Sequence, residues 1–273
     1  MQTWLFVPGY QPERIRKAFG TDADRVIVDW EDAVAPEHKA SARQATAEAL
    51  QALGSPERFV IRINPPDAAE HNADLDAVAS IRPGAVMVAK TERPATAEQV
   101  ASRGLRCIPL IESALGVEQA FTIASVDGVE GLAFGCVDYL ADIHAAHSHQ
   151  ALQFARGRLI NAARAAGLAH ILDGPTIALN DQETLAEDAL LARALGFSGK
   201  LAIHPKQISA LRQLFRPSDA DVQRAREIIR LYEDGLRQGK GAIRHGDLMI
   251  DGAVAKQAQR VLAAAGEADP QPH

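Results

Sequence analysis

The chain has 273 residues, 47% of them hydrophobic and 23% charged, with a formal net charge of −6. That length and composition suit one large α/β barrel or two small domains. The acidic balance, without any Lys/Arg run, argues against nucleic acid or an anionic membrane as the main partner, and no apolar stretch approaches the ~18 residues that span a bilayer.

Short apolar runs recur along the chain at 4–7, 25–29, 59–63, 85–89, 107–111, 131–137, 170–172 and 200–203. They are rich in Val and Ile and mostly do not alternate, as expected of parallel strands covered on both faces. Amphipathic stretches such as 38–53 and 181–195 separate them. Eight strands with intervening helices predict an α/β fold, a closed (β/α)8 TIM barrel over 1–215. No Gly-x-Gly-x-x-Gly or Walker loop follows the first strand, which counts against a nucleotide-binding open sheet.

After His204 the alternation stops. Residues 205–215 and 219–238 read as helices, with Ser218 as an N-cap, then a Gly239/Gly241 joint and a last helix from about 253 to 265. Residues 216–273 are expected to form a C-terminal helical lid, too short for a core of its own, with 267–273 frayed. Cys107 and Cys136 both fall in predicted strands and read as small buried hydrophobes. The first nine residues carry neither a basic region nor a cleavage signal, so the expected location is cytoplasmic.

Barrel enzymes place their chemistry at the C-terminal ends of strands. Those ends here carry Pro8-Gly9, Asp29-Trp30-Glu31-Asp32, Arg62-Ile63-Asn64, Lys90, Glu112, Asp138, Asp173 and His204. The runs 107–111 and 131–137 are each followed by one carboxylate, Glu112 and Asp138, across an interval long enough for one crossover helix. As neighbouring parallel strands they would bring the two acids side by side, either to share a proton or to bind a cation. Oxygen-only ligands favour a hard ion, Mg²⁺ with Mn²⁺ as a substitute. Arg62 offers a charged fork for a carboxylate or oxyanion, or else a structural partner for Glu31 or Asp32. Glu31 and Asp32 can hold metal-bound waters. Lys90 either binds substrate or neutralises the acidic rim. His144, His147 and His149 suggest zinc by number, but with no cysteine beside them they read better as a solvated or substrate-lining loop.

In order and spacing these motifs resemble the HpcH/HpaI aldolase family, in its citrate lyase β-subunit-like branch with malyl-CoA and citramalyl-CoA lyases. The stretches that carry the resemblance are Leu5-Phe-Val-Pro-Gly9, Val28-Asp-Trp-Glu-Asp-Ala-Val34, Arg62-Ile-Asn64, Leu110-Ile-Glu-Ser-Ala-Leu-Gly116, Gly135-Cys-Val-Asp138, Ile203-His-Pro-Lys-Gln-Ile208 and Met249-Ile-Asp251. The resemblance implies Mg²⁺ on Glu112 and Asp138, and an enolate-stabilising or substrate role for Arg62. Glu31 and Asp32 would support the catalytic group, and Pro8, Lys90 and Gly135 would lie on the substrate side. It also implies a C-terminal lid carrying Asp251 into a neighbouring subunit of a homo-oligomer, a trimer. The implied reaction is reversible carbon–carbon cleavage of a 3-hydroxy-3-carboxy acyl-CoA. Alternatives are a citrate lyase β subunit acting on a carrier-protein thioester, a 2-hydroxy-acid aldolase without CoA, and a non-catalytic regulatory barrel. Trp30, Ala89, Gly252-Ala253 and the histidine-rich loop depart from the family pattern, and as lining of the pocket or lid they would bear on substrate choice.

Overall fold

The first eight strands pair in parallel, each with its successor, and β8 closes back on β1. The computed structural model describes residues 2–267. In chain order the elements are β1 (Gln2–Pro8), α1 (Pro12–Phe19), β2 (Arg25–Asp29), α2 (Lys39–Leu53), β3 (Phe59–Ile63), α3 (His71–Ile81), β4 (Ala85–Val88) and α4 (Pro94–Ala101). Then follow β5 (Cys107–Ile111), α5 (Ala114–Glu118), α6 (Ala120–Ala124), β6 (Gly131–Phe134), α7 (Cys136–Asp142), α8 (His149–Ala165), β7 (His170–Asp173), α9 (Gln182–Leu195), β8 (Gly199–Ala202) and α10 (Lys206–Phe215).

Alternation along each strand decides what faces the barrel interior. Trp4, Ile27, Val60, Met87, Ile108, Leu110, Ala133, Leu172 and Leu201 fill it as one apolar cluster. Their neighbours Leu5, Val26, Val28, Ile61 and Val86 are equally buried, on the opposite face beneath the helices. Burial on both faces is why the strands read as unbroken apolar runs.

Four expectations need correction. β6 stops at Phe134, and Cys136 opens α7 instead of ending a strand, so Asp138 stands in the first turn of a helix. The β5–β6 connection is two short helices, not one. The C-terminal segment is not wholly helical: between α11 (Asp219–Arg237) and α12 (Gly252–Ala265) lies a hairpin of β9 (Ala242–His245) and β10 (Leu248–Asp251). Gly246 supplies the positive φ its two-residue loop requires, a signal the alternation of so short a run concealed. This segment also has a small core of its own, with Val222, Ala225 and Ile229 packed on Ala258 and Leu262.

Two compact units result, Gln2–Arg212 and a second from Gln213 onward. Ser218 caps α11 as expected, exchanging hydrogen bonds with Asp221 in a capping box. Of the stretch expected to fray, Glu267 is paired with Arg226, and 268–273 lie outside the described residues. Among the described residues no helix is long and apolar enough to cross a membrane.

Candidate active site

A cavity of about 450 Å³ opens at the C-terminal end of the barrel, a volume suited to a small ligand. Its wall includes Pro8, Asp29, Asp32, Arg62, Glu112, Gly135 and Asp138. The strand period explains the group. Asp29 and Arg62 follow the inward Ile27 and Val60 by two residues, and Glu112 follows the inward Leu110 in the same way.

Asp29 and Arg62 are also register partners on β2 and β3. Arg62 Nε and Nη2 each donate to one oxygen of Asp29 at 2.7 Å, a bidentate pair. Nη1 lies 2.9 Å from Glu31 and 3.6 Å from Asp32. Burial works against the Arg62 charge, but Asp29 and then Glu31 and Asp32 more than offset it and raise its pKa. The fork expected to be free for substrate is thus occupied by Asp29, and with Glu31 on Nη1 only the remaining N–H donors of the guanidinium are left for a ligand. Asp29, passed over as a site residue, was detectable as the acid that ends β2 where Arg62 nears the end of β3.

Lys90 does not line the cavity. Its ammonium sits 2.5 Å from Glu31, and its backbone, at φ 48, aims the amide N–H at Glu112 Oε1 over 2.7 Å. A left-handed non-glycine residue stores strain of order 1 kcal/mol or more, and here it orients a buried acid. Glu31, itself buried, bridges Arg62 and Lys90, while Asp32 is exposed on the wall. Lys39 binds the carbonyls of Trp30 and Glu31 and the side chain of Asn64, fixing this acidic loop. Trp30 and Ala89 are fully buried away from the cavity, and Trp30 Nε1 donates to Thr46 at 2.9 Å, so these two departures do not shape the pocket. Gly9 answers the Trp30 ring, because a Cβ there would lie 2.6 Å from Cδ1.

Glu112 and Asp138 meet on the cavity wall. Burial chiefly, helped by the charges of Asp138 and Glu31, pushes the Glu112 carboxyl up to about 8, against the lowering effect of the Lys90 amide and Arg62. Glu112 Oε2 accepts no hydrogen bond, and Asp138 has no hydrogen-bond or ion-pair partner among the described residues. Gly135 clears space for the acid, since a Cβ there would come 2.2 Å from Oε2. A buried carboxyl beside an unpartnered one fits a hard cation. Among the described residues no group of three or more His, Cys, Asp or Glu is placed to hold a metal, so such an ion would take two carboxylates and complete its shell with water or ligand oxygens.

The sign of the pH dependence follows. Glu112 titrates higher folded than unfolded, so without a cation its contribution to stability is full below the ordinary carboxylate value and is lost as pH rises through about 8. Cation binding requires the ionised form and runs the opposite way. Mg²⁺ binding followed by calorimetry in buffers of different ionisation enthalpy is expected to release a proton at pH 7 and almost none at pH 9.5. Binding at pH 7 with no proton released would contradict this.

Behind β7 and β8 lies a second ionic cluster, invisible in the strand pattern. Asp173 points outward into the helix layer, where Arg156 of α8 grips both its oxygens at 3.0 and 3.1 Å and Lys200 Nζ donates at 2.8 Å. It faces away from the cavity. Burial alone would raise the Asp173 carboxyl, yet Lys200 and Arg156 hold it below its ordinary value. His149 Nδ1 lies 3.8 Å from Asp188 beside this cluster, and neither His144 nor His147 reaches the cavity wall. Cys136 lines the cavity, and burial pushes its thiol up to about 11.

In the C-terminal unit Asp251 caps α12. Its Oδ1 accepts from Ala253 at 2.9 Å and Val254 at 3.0 Å, while Oδ2 accepts from nothing among the described residues.

The family model for HpcH/HpaI aldolase/citrate lyase matches residues 2–205. A citrate lyase subunit beta from Leuconostoc mesenteroides subsp. cremoris is 33% identical, over 96% of this chain and 92% of that protein. A (3S)-malyl-CoA thioesterase from Cereibacter sphaeroides is 32% identical, over 95% of this chain and 90% of the relative. The crystal structure of CitE from Mycobacterium tuberculosis, in complex with magnesium, acetoacetate and coenzyme A, superposes with a TM-score of 0.88 at 34% identity, covering 97% of this chain and 98% of that one.

Proposed function

This chain belongs to the HpcH/HpaI aldolase/citrate lyase family, and from that premise we propose that it is a Mg²⁺-dependent lyase of 3-hydroxy-3-carboxy acyl-CoA thioesters. The observation that carries the reading is the pair Glu112 and Asp138 on the cavity wall beside Arg62. These two acids would hold the ion. When bound, it polarises the hydroxyl and carboxylate of the acid half and lowers the hydroxyl's pKa.

The remaining work falls to the chain. In cleavage the hydroxyl proton passes to a base, the carbon–carbon bond breaks, and its electron pair moves onto the thioester as an enolate. The hydroxyl carbon becomes the carbonyl of a 2-oxo acid. The enolate α-carbon then takes up the proton, giving the acetyl thioester. Arg62 Nη1 is suited to stabilise the enolate oxygen, because Asp29 holds the guanidinium in one orientation. Glu31 and Asp32 hold the other side of that edge and are suited to orient ion-bound waters. Pro8 and Gly135 shape the wall. Asp251, with Oδ2 unused, is assigned the base, carried into the site of a neighbouring subunit of a homotrimer by the segment 216–273. The proposed location is the cytoplasm.

Mixing inactive Asp251→Asn with inactive Glu112→Gln subunits tests the shared site. Mixed oligomers are expected to regain activity, and demonstrated subunit exchange without recovery would remove Asp251 from it.

The relatives favour two further readings: hydrolysis of malyl-CoA, and action on a carrier-protein thioester as part of a citrate lyase. Incubation with Mg²⁺ and malyl-, citramalyl- and citryl-CoA separates them. The lyase releases 2-oxo acid and acetyl-CoA in equal amounts. Free CoA thiol without 2-oxo acid would identify a thioesterase. Cleavage of carrier-bound citryl alone would identify the complex subunit, and no turnover of any thioester would refute the enzyme reading.

A further inference from the structure

The parallel ladder between β7 and β8 ends early. Its last register pair is Asp173 with Lys200, short of Pro175, Ile177 and Ile203, which line the cavity. On its other side β8 parts from β1 after Ala202. Among the described residues, the two loops that carry this wall therefore leave the barrel with no backbone hydrogen bond between them.

The β7 loop is nevertheless held residue by residue. Arg156 and Lys200 grip the Asp173 carboxylate, and Lys200 Nζ also donates to the Gly174 carbonyl at 2.6 Å. Cys136 Sγ lies 3.8 Å from the Pro175 carbonyl, and Thr176 Oγ1 donates to Asp188 of α9 at 2.5 Å. These ties fix the loop to β8 at its base and to the helices, but none reaches the β8 loop.

The bonds that do cross the opened seam come from Gln207, the second residue of α10 and almost completely buried. Its Oε1 accepts from the backbone N–H of Ile203 at 2.9 Å and of His204 at 3.3 Å, and its Nε2 donates to the Thr176 carbonyl at 2.8 Å. Two N–H donors at one end of a carboxamide require the oxygen there, so the partners fix its orientation. An amide that accepts from one chain segment and donates to the next makes the exchange a peptide group makes in a sheet.

We propose, resting on the lyase reading above, that Gln207 is a positioning residue of the site. Its side-chain amide stands in for the missing rung between β7 and β8 and fixes the spacing of Pro175 and Ile203 across the cavity wall. A rival role is local. Gln207 reaches back to two amides just before its own helix, as a helix cap does. A cap has no use for the bond to Thr176, which lies 31 residues away in the chain.

Two variants separate these roles, each assayed at a temperature where circular dichroism shows it folded. Gln207→Glu keeps an oxygen for the Ile203 and His204 amides but, as a carboxylate, has no N–H for Thr176. Gln207→Met loses both halves at similar volume. Turnover is measured with Mg²⁺ and whichever of malyl-, citramalyl- and citryl-CoA the wild type cleaves fastest. Both variants are expected to lose kcat by about ten- to a hundredfold, the scale of a small misplacement of reacting groups. Mg²⁺ affinity, from calorimetry with the metal alone, is expected to stay at the wild-type value, because Glu112 and Asp138 stand at the end of β5 and in α7. Amide hydrogen exchange at Ile203 and His204 should stay slow in Gln207→Glu and quicken by about tenfold in Gln207→Met, the scale of one lost hydrogen bond.

The crystal structure of Gln207→Glu tests the bridge without turnover. The Thr176 carbonyl is expected to draw away from residue 207 while Ile203 and His204 keep their places. If the wild type cleaves no thioester, the lyase reading fails, and that displacement still upholds the bridge. Wild-type kcat in Gln207→Glu, with any loss confined to Gln207→Met, would reduce Gln207 to a helix cap. Loss of Mg²⁺ affinity in step with kcat would make its role general to the fold. Either result, or a Thr176 loop unmoved in Gln207→Glu, would overturn the proposal.

Discussion

Glu112→Gln is expected to lower turnover by about a thousandfold or more, and Asp138→Asn by a similar factor, with the barrel intact. Loss of an anionic ligand removes the ion and its charge stabilisation together, and single oxyanion-type losses alone reach roughly 10²–10³. The fold should survive Glu112→Gln because the carboxamide keeps an oxygen for the Lys90 amide and removes a buried carboxyl whose ionised form burial disfavours until a cation arrives. The ion-free variant should therefore lack the wild-type loss of stability as pH rises through about 8. EDTA should reproduce the activity loss in the wild type, and Mg²⁺ or Mn²⁺ should reverse it there but not in the variant. Arg62→Lys is the milder change, expected to slow kcat about a hundredfold, since one ammonium cannot hold both Asp29 oxygens and still face the cavity. Wild-type Mg²⁺ affinity and activity in either carboxamide variant would remove that residue from the site.

The largest stability effect is expected away from the cavity, in Asp173→Ala. It strands Arg156 and Lys200, both buried, without the carboxylate that pairs with them. Breaking one buried pair costs about 3–5 kcal/mol, and here one carboxylate answers two cations, so the upper end applies. In a chain of this size that shifts Tm by about 10 °C or more. The pH window follows from the direction of the shift. The Asp173 carboxyl titrates below its ordinary value, so its contribution is present above the unfolded carboxylate range and disappears as pH falls through the folded value. Replacing Asp173, Arg156 and Lys200 together by Leu, Met and Met should cost far less than Asp173→Ala alone, because no charge is left unpaired. Thermal and urea denaturation check both. An Asp173→Ala protein melting within about 2 °C of wild type would mean that water or another group already compensates the cations.

Most of the barrel was legible in the chain, because doubly covered parallel strands write their burial on both faces into short Val- and Ile-rich runs. Glu112 was legible for the same reason, as a single acid ending such a run. Asp138 was found through a mistaken element. Its acid follows an apolar stretch, but Gly135 ends the strand and Cys136 begins a helix, a boundary that apolar content alone does not mark. The hairpin of β9 and β10 escaped because four-residue strands have too few turns of period two to stand out, and the one turn signal between them is the single Gly246.

The sequence by itself determined the barrel class, the acidic rim and the carboxylate pair, since each rests on local periodicity and on residues at strand ends. Only the tertiary structure decided which of those ionisable groups face one another. Register set Asp29 against Arg62, strand parity sent Asp173 outward to Arg156 and Lys200, and the left-handed turn at Lys90 placed its amide on Glu112 and its ammonium on Glu31. Charge identity is carried by one residue, whereas charge pairing depends on a one-residue choice of strand face between segments distant in the chain, and that choice is made only when the layers pack.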